Sequence, residues 1–327
     1  MKIGVVGCGA LGSFYGARLW RAGHDVHFLL RSDFDIVCEH GVQIESPGGN
    51  FTARPHAART PEAIGCCDLV LIGLKTTANG EYPKLLPPLV GPGTLVLTLQ
   101  NGLGNEELLA KLFPAEQILG GLCFVCINRI RPGLVRHMDH GFVVIGEFRR
   151  RPLPRTHAIA EMFQQADVKC SVSEDLGKAH WEKLVWNIPF NGLGVAGIAG
   201  VEAMRTGNVS AQTATRACLP TDELLADAGW ESLVRELMLE VIRAAAALGH
   251  VIPESLAGKM IERTRSMGSY RASTLVDFER GQPLELNSLF SEPLRQAKLA
   301  GASTPVLEKL CAVLTELDHR RALRGGN

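Results

Sequence analysis

The chain has 327 residues, about twice the length of a common domain, so two domains are expected. Lysine plus arginine and aspartate plus glutamate number 34 each, and the apolar fraction is that of an ordinary globular protein. This balance gives no electrostatic reason to expect nucleic acid or an anionic membrane as a partner.

The start of the chain and its cysteines indicate where the protein works. The first residues read as a strand rather than a signal peptide, and no apolar run is long enough to span a bilayer. The nine cysteines form no disulfide framework, which suits a reducing compartment. Cys123 and Cys126 spell C-x-x-C, but there is no second pair, and in a strand their thiols would point to opposite faces. We therefore expect a soluble cytoplasmic protein without a metal.

The first half of the chain alternates between segments typical of strands and of helices. The predicted strands are rich in leucine and β-branched residues and are bounded by turn residues: Ile3–Val6, Asp25–Leu30, Asp68–Leu74, Thr94–Leu99, Ile118–Ile127 and Phe142–Phe148. Helical segments lie between them, the first at Ser13–Arg21. This order predicts an α/β domain of the Rossmann-like, doubly wound type over residues 1–172.

In the second half the strand pattern ends and helical patterns remain. The predicted helices, some with an apolar period near 3.6 residues, are Glu174–Val195, Asp222–Leu248, Pro253–Arg265, Ser288–Leu299 and Thr304–Leu323. Pro253 and Pro305 suit first-turn positions. Residues 173–327 are therefore predicted to form an all-α domain that supplies the substrate-binding and catalytic residues.

A glycine-rich turn lies between the first predicted strand and the first predicted helix. It fits G-x-G-x-x-G and consists of Gly7, Cys8, Gly9, Ala10, Leu11 and Gly12. Gly7 would permit the tight turn, Gly9 the approach of a pyrophosphate, and Gly12 close packing of helix on strand. The helix N-terminus would offer N–H groups to the phosphates. The alternative is a glycine-rich turn without a ligand.

The end of the second predicted strand bears on the choice of dinucleotide. NAD-binding domains usually place an acidic residue there for the ribose 2′-hydroxyl, whereas this strand ends in Arg31 and Ser32. The planar guanidinium of arginine matches phosphate oxygens, so the sequence favours NADP(H). In the alternative, Arg31 is a solvated charge and Asp33 is the ribose ligand.

Two further loops follow predicted strands and would lie at the same sheet edge as the glycines. One begins with Lys75, which could neutralise a cofactor phosphate, and the other contains Asn101, which could hydrogen-bond the nicotinamide side or the substrate. The alternatives are an exposed lysine and an ordinary Asn-Gly turn.

The helix at 181–191 carries the expected chemistry. Lys183, Asn187 and Asn191 are spaced i, i+4, i+8, which puts them in one polar stripe among apolar residues. Lys183 could protonate the alkoxide that hydride transfer to a ketone creates, and burial would lower its pKa. A solvated polar face is the alternative. Pro189 could kink the stripe, and His180 is a second candidate for the proton donor.

Glu285 lies between two leucines near the C-terminus of the chain. A carboxylate in that setting needs a partner, and Lys183 or the cofactor ribose are candidates. The alternative is an exposed glutamate in the first turn of a helix, just after Pro283.

Taken together, these segments resemble the ketopantoate reductase family (2-dehydropantoate 2-reductases). The resemblance runs along nearly the whole chain and rests on GCGALGSFYGARL, an arginine after the second strand, DLVLIGLKTT, LTLQNGLGNEE, WEKLVWNIPFN and YRASTLVDFERGQPLELN. It implies NADPH-dependent reduction of 2-dehydropantoate to (R)-pantoate, a step toward pantothenate and coenzyme A.

The resemblance also implies roles for single residues. The proton-donating lysine of the family falls on Lys183. Its substrate-binding residues fall on Asn101, Lys183, Asn187, Asn191 and Ser273. Its cofactor contacts fall on Gly7–Gly12, Arg31, Lys75, Asn101 and Glu285.

This chain departs from the family pattern in the region that binds substrate. It lacks a further asparagine about ten residues beyond Asn191, has Tyr270 where members can carry asparagine, and is hard to align at Arg205–Thr221. These differences concern the identity of the keto acid more than the reaction. A reductase of another branched 2-keto acid and a non-catalytic NADP(H)-binding sensor are the alternatives, and the sequence leaves open whether the chain forms a homodimer.

Overall fold

The computed structural model describes residues 1–210 and 217–325. The chain divides into two compact units, residues 1–179 and 180–327, each considered separately below. A functional division after residue 172 stays a prediction. The segment at Arg205–Thr221 that is hard to align includes residues 211–216, which lie outside the described residues.

The first unit is built on one mixed sheet. Its strands are β1 (Lys2–Val6), β2 (Asp25–Leu29), β3 (Val42–Glu45), β4 (Phe51–Ala53), β5 (His56–Ala58), β6 (Leu69–Ile72), β7 (Leu95–Thr98), β8 (Ile118–Arg131), β9 (Leu134–Glu147) and β10 (Cys170–Val172). The predicted strands are all present. The additional strands β3, β4, β5 and β10 have three or four residues each, too few to give a periodic signal.

The order of the parallel strands is that of a doubly wound fold. Across the sheet, the spatial order of these strands is β5, β2, β1, β6, β7 and β8, and each neighbouring pair is parallel. The chain builds outward from β1 to β2 and β5, then returns to β6 on the other side of β1. The carboxyl ends of β1 and β6 therefore border the switch point, where such sheets bind ligands.

A long hairpin extends this sheet beyond the doubly wound core. Strands β8 and β9 have 14 residues each and pair antiparallel, joined at Gly133, which has a φ of +71°. Strand β9 also pairs in parallel with β3 and β10. The predicted strands Ile118–Ile127 and Phe142–Phe148 are parts of this hairpin. The prediction was too short because the hairpin is partly exposed and carries polar residues.

The helices of the first unit pack on both faces of the sheet. They are α1 (Ala10–Arg21), α2 (Phe34–His40), α3 (Pro61–Ile64), α4 (Tyr82–Leu85), α5 (Asn105–Leu109) and α6 (Pro154–Gln165). Successive strand residues face opposite ways, so Val5 joins one apolar cluster and Val6 the other. Burying such side chains contributes about 1.5–3 kcal/mol each.

A buried carboxylate joins the end of β9 to the start of α6. Glu147 is fully enclosed and accepts hydrogen bonds from Arg155 Nη2 (2.7 Å), Thr156 Oγ1 (2.6 Å) and Arg150 Nε (3.1 Å). Burial alone would raise the pKa of Glu147, but the bonds from Arg155 and Thr156 outweigh it and hold that pKa below its ordinary value. The ionised carboxylate therefore stabilises this corner.

The second unit is helical, as predicted. The chain from 173 onward, where described, has no strand and forms α7 (Leu176–Ala196), α8 (Val201–Thr206), α9 (Thr221–Ala226), α10 (Ala228–Ala247), α11 (Ser255–Arg265), α12 (Ser273–Glu279), a π-helical turn (Asn287–Ser291), α13 (Glu292–Leu299) and α14 (Pro305–Gly325). None of the described helices is both long and apolar enough to cross a membrane. Pro305 begins α14 as expected, whereas α11 begins two residues after Pro253.

Two carboxylates set helix boundaries in this unit. The predicted helix Asp222–Leu248 is two helices, because Asp227 is extended and its side chain accepts from the Trp230 amide at 3.0 Å, starting α10 afresh. Glu240, on α10, accepts from the amides of Val306 and Leu307, each at 2.9 Å, and so caps α14. Burial raises the pKa of Glu240 despite these two bonds.

Candidate active site

The glycine-rich turn has the geometry that its sequence requires. It joins β1, which ends at Val6, to α1, which begins at Ala10. Gly7 has a φ of +95°, and a Cβ there would lie 2.2 Å from the Leu74 amide nitrogen. A Cβ on Gly12 would lie 2.3 Å from the Gly7 carbonyl oxygen. A side chain at either glycine would push α1 or the loop after β6 out of place.

The middle glycine of this turn faces open space. A Cβ on Gly9 would have no atom within 4 Å, so backbone at this point is accessible to a ligand. The turn itself is pinned, because Ser13 Oγ donates to the Cys8 carbonyl at 3.0 Å. Burial raises the pKa of the Cys8 thiol far above its ordinary value, which keeps it neutral. The first-turn N–H groups of α1 therefore meet no thiolate charge that would compete with an anion.

The two candidates for the ribose end of the cofactor are in different environments. Arg31 is exposed, and its side chain makes no hydrogen bond or ion pair with any described residue. Asp33 is only 7% exposed and accepts bonds from Arg129 Nε (3.1 Å), the Gly133 amide (3.3 Å) and Ser32 Oγ (2.8 Å). Residues of the β8–β9 hairpin therefore hydrogen-bond the carboxylate of Asp33, whereas the guanidinium of Arg31 remains available to a ligand.

The charge of Asp33 is stabilised in this position. Burial alone would raise its pKa, but the hydrogen bonds from Arg129 and Ser32 outweigh burial and lower it. The cavity beside this carboxylate has a volume of about 10 Å³, which is the lower limit for a single water molecule. That cavity is therefore too small for a ribose.

The predicted residues Lys75 and Asn101 lie at the carboxyl ends of adjacent parallel strands. Lys75 is exposed, two residues past Gly73, whose position follows directly on β6. Asn101 is half-buried three residues after the end of β7 and precedes Gly102, which has a φ of +85°. The sheet therefore brings both loops to the edge that carries the glycine turn.

Buried side chains join these two loops, a contact that the sequence did not reveal. Gln100 Oε1 accepts from Thr98 Oγ1 at 2.9 Å and from the Tyr82 hydroxyl. Gln100 Nε2 donates to Asn79 Oδ1 at 2.7 Å. Tyr82, Thr98 and Gln100 are all less than 5% exposed. Their exchange of hydrogen bonds fixes the orientation of the Gln100 carboxamide.

The chain of amides continues to the backbone of Asn101. Asn79 Nδ2 donates to Asn105 Oδ1 at 2.9 Å, and Asn105 Nδ2 donates to the Asn101 carbonyl at 3.1 Å. We call Asn79, Tyr82, Thr98, Gln100 and Asn105 the amide network. Thr98 and Gln100, two polar residues that flank Leu99 at the end of an apolar strand, were its only signal in the sequence. The network braces the loop after β7 against the 3₁₀ turn Thr76–Glu81.

In the second unit, α7 continues unbroken through Pro189, so the predicted stripe remains on one helix. Lys183 is half-buried, while Asn187 and Asn191 are 8% and 3% exposed. A solvated face is therefore the wrong interpretation for the two asparagines. His180 is also buried, one turn before Lys183.

Asn191 and Ser273, 82 residues apart in sequence, are in contact. Asn191 Oδ1 accepts from Ser273 Oγ at 3.2 Å and from the Thr274 amide at 3.0 Å, at the start of α12. Asn187, one turn earlier on α7, makes no side-chain hydrogen bond to any described residue. Asn187 is 8% exposed and its carboxamide still reaches solvent, so this face of α7 can offer hydrogen bonds to a polar ligand.

Glu285 and Tyr270, two further residues of this unit that the sequence analysis discussed, are at least partly buried. Glu285 is 7% exposed, so the exposed helix-start interpretation is wrong. It directly precedes the helical turn that becomes the π-helix Asn287–Ser291, a distortion that often marks functional sites. Tyr270, half-buried, donates its amide to Thr221 Oγ1 at 3.1 Å, and its ring centroid lies 6.0 Å from that of Trp186.

A doubly wound parallel sheet with a glycine turn at its switch point defines the class: this is a dinucleotide-binding protein of the Rossmann type. Comparison with known families narrows it. Residues 3–150 match the family described as ketopantoate reductase PanE/ApbA, and residues 206–318 match its C-terminal domain. The chain belongs to the ketopantoate reductase family, whose members are oxidoreductases.

Individual relatives agree with this membership. The chain is 39% identical to 2-dehydropantoate 2-reductase of Nostoc sp., over 98% of this chain and 96% of the relative. It superposes on the crystal structure of 2-dehydropantoate 2-reductase from Geobacter metallireducens with a TM-score of 0.87 at 44% identity, covering 97% and 99% of the two chains. D-Mandelate dehydrogenase in complex with NADH and anilino(oxo)acetate shares the fold, with a TM-score of 0.82 at 20% identity and 98% and 99% coverage.

Proposed function

We propose that the protein catalyses the NADPH-dependent reduction of 2-dehydropantoate to (R)-pantoate in the cytoplasm. The observation that carries the proposal is the α7 stripe, in which Lys183 stands one turn from a buried carboxamide, Asn187, that has no partner among the described residues. The similarity to the Nostoc and Geobacter reductases supports the choice of substrate. Nine free thiols are consistent with a reducing compartment.

Residues 1–172 would hold the cofactor. The backbone at Gly7–Gly12 and the N-terminus of α1 are suited to the pyrophosphate, because Gly9 is open and the turn is fixed on both sides. Arg31 would pair with the 2′-phosphate, which supports NADPH over NADH since Asp33 is occupied by Arg129. Lys75 would add positive charge near the phosphates, and Asn101 and Glu285 would contact the cofactor as well.

Residues 173–327, together with Asn101, would hold the substrate and move the proton. NADPH, when bound, supplies a hydride to the carbonyl carbon of the keto acid. Lys183 gives one proton to the carbonyl oxygen as the C–O double bond becomes a single bond, so the product is the neutral alcohol. Asn187 and Asn191 would bind the polar groups of the substrate, and Ser273, in contact with Asn191, would join them.

A different branched 2-keto acid is the second candidate substrate. Tyr270 favours it, because a ring near Trp186 changes the apolar surroundings of α7 from those that an asparagine would give. D-Mandelate dehydrogenase has the same fold, and its ternary structure contains anilino(oxo)acetate, a substituted oxoacetate. The reaction, hydride and proton addition to a 2-keto acid, is the same in both cases.

Turnover with a panel of keto acids tests the proposal. NADPH absorbance is followed with 2-dehydropantoate, with other branched 2-keto acids and without any, and each is repeated with NADH. A kcat/KM of about 10⁴ M⁻¹s⁻¹ or more with 2-dehydropantoate supports the proposal. Turnover only with another acid supports the second candidate. NADPH binding without turnover across the panel contradicts both and indicates a sensor.

A further inference from the structure

An unassigned group of metal-binding side chains lies on strands β2 and β5. Asp25 and His27 are two residues apart on β2 and therefore point to the same face of the sheet. His56 starts β5, and the parallel register places it directly beside His27. We call these three residues the His–Asp cluster.

The cluster has the spacing of a metal site. His27 Nε2 lies 2.9 Å from Asp25 Oδ1, and His56 Nε2 lies 3.4 Å from the same oxygen. The potential ligand atoms of the three residues all lie within 4.8 Å of one another. A zinc ion bound to nitrogen and oxygen at about 2.0–2.2 Å holds neighbouring ligand atoms about 2.9–3.5 Å apart. Two of the separations already match that range.

The hydrogen bonding of His27 is incomplete. Its Nε2 is enclosed and has no well-directed hydrogen-bond partner, although Asp25 is close. A lone pair given to a metal would satisfy this nitrogen, which a misaligned contact with the carboxylate does not. The side chains of Asp25 and His56 are 50% and 71% exposed, so the outer side of the cluster is open to water. Water could complete the coordination there.

A nearby cation does not take up the carboxylate. Lys2 is the register neighbour of Asp25 on the adjacent strand β1. Its ammonium donates to the Ile64 carbonyl at 2.6 Å, and its backbone amide donates to Asp68 at 2.7 Å. The carboxylate of Asp25 therefore remains directed at the two imidazoles, whose rings stack at a centroid distance of 4.7 Å.

We propose that Asp25, His27 and His56 bind one divalent ion of the first transition row, with zinc as the reference ion. Two imidazoles and one carboxylate are a donor set that such ions prefer, and magnesium or calcium would instead need mostly oxygen ligands. The ion would tie the edge strand β5 to β2. Asp25 is the first residue of β2 and Arg31 lies beyond its last, so the site is at the opposite end of the strand from the proposed cofactor edge.

The test is titration of the full-length protein with Zn²⁺ by calorimetry and with Co²⁺ by absorbance. The wild type should bind one equivalent saturably, and the Co²⁺ complex should show d–d bands without thiolate charge transfer, which separates this site from the nine cysteines. His56→Ala removes one of three ligands and should weaken this binding about tenfold or more. Bound Zn²⁺ should raise the Tm of the wild type and not of the variant.

A matched control uses another exposed histidine beside a carboxylate. His40 lies 3.5 Å from Glu39 and belongs to no cluster of three potential ligands among the described residues, so His40→Ala should bind Zn²⁺ like the wild type. Equal binding in the wild type and His56→Ala, or no saturable binding in the wild type, overturns the proposal. NADPH turnover is measured in the same variants and should stay unchanged, so the outcome is independent of the proposed reaction.

Discussion

The proposed cofactor edge of the first unit, formed by the glycine turn and the loops after β2, β6 and β7, and the polar face of α7 are built in different ways. At the proposed cofactor edge, the geometry depends mainly on backbone conformation. Gly7 and Gly12, which allow the tight turn, lie within six residues of each other, and Arg31 follows the next strand. On α7, Asn191 meets a side chain 82 residues away in sequence. The first kind of site can be recognised from a short pattern, whereas the second exists only once the chain has folded.

The largest effect expected from this difference is a purely chemical one on α7. Lys183→Ala should lower kcat by about 10² or more while leaving NADPH affinity near that of the wild type, because the proton donor is lost and the proposed nucleotide contacts are kept. Steady-state kinetics and NADPH titration measure the two quantities. Lys178→Ala on the same helix is the control and should keep its kcat. A fully active Lys183→Ala protein would remove this lysine from the mechanism.

A second prediction compares the supports of the two units. Glu147→Gln should destabilise the protein at neutral pH by about 2–3 kcal/mol, because Arg150 and Arg155 lose a charged partner. Glu240→Gln is the matched control, with a smaller loss, because Glu240 accepts only from backbone amides. Denaturant unfolding at pH 7 measures both, and equal losses would contradict the assigned ion-pair role of Glu147.

The same two carboxylates should give opposite pH dependence. The pKa of Glu147 is lowered by folding, so its stabilisation is present above the ordinary value of 4.5 and is lost as the pH falls below it. The pKa of Glu240 is raised, so its ionised form is penalised and stability from this group increases as the pH falls toward 4.5. Tm is measured from pH 8 to pH 3. Its dependence on pH should become weaker below pH 4.5 in Glu147→Gln and weaker above pH 4.5 in Glu240→Gln.

The cofactor edge itself is tested at Arg31. Arg31→Ala should weaken NADPH binding about tenfold or more and leave NADH binding almost unchanged, because a charged hydrogen bond to the 2′-phosphate is lost. Fluorescence titration with both nucleotides measures the ratio. Arg59→Ala, which removes an arginine paired with Asp35 at 2.7 Å, is the control. Equal loss for both nucleotides would overturn the phosphate assignment.

The smallest expected effect concerns the amide network, where the cofactor edge does depend on distant side chains. Asn79→Ala leaves Gln100 Nε2 and Asn105 Oδ1 without their partner and should cost about 1–2 kcal/mol of stability. The loop of Asn101 then loses its brace, so KM should rise more than kcat falls. Asn50→Ala, an exposed asparagine that only accepts from the Ser46 amide, is the control. Unchanged KM in Asn79→Ala would make the network purely structural.

Local patterns were sufficient for the glycine turn, for the parallel strands β1, β2, β6 and β7 and for the helix that carries Lys183, but they found only parts of β8 and β9. They were insufficient where a contact spans the chain. The bond from Arg129 to Asp33 joins residues 96 apart, and it supports Arg31 over Asp33 as the proposed contact for the ribose end of the cofactor. Short strands such as β10 lack enough residues to show a period, and Asp227 divides a helix that its apolar pattern presents as continuous. Roles in substrate binding remain predictions from the family resemblance.

The contact of Asn191 with the start of α12 affects how experiments at this position are to be read. The carboxamide oxygen serves as an acceptor for the Thr274 amide, so it shares the task of a helix cap. Removing it would fray the first turn of α12 in addition to removing the proposed contact with the substrate. Amide hydrogen exchange at Thr274 would separate these two losses. Asn191→Asp would keep the acceptor oxygen for the Thr274 amide and replace the NH₂ donor with a second acceptor oxygen.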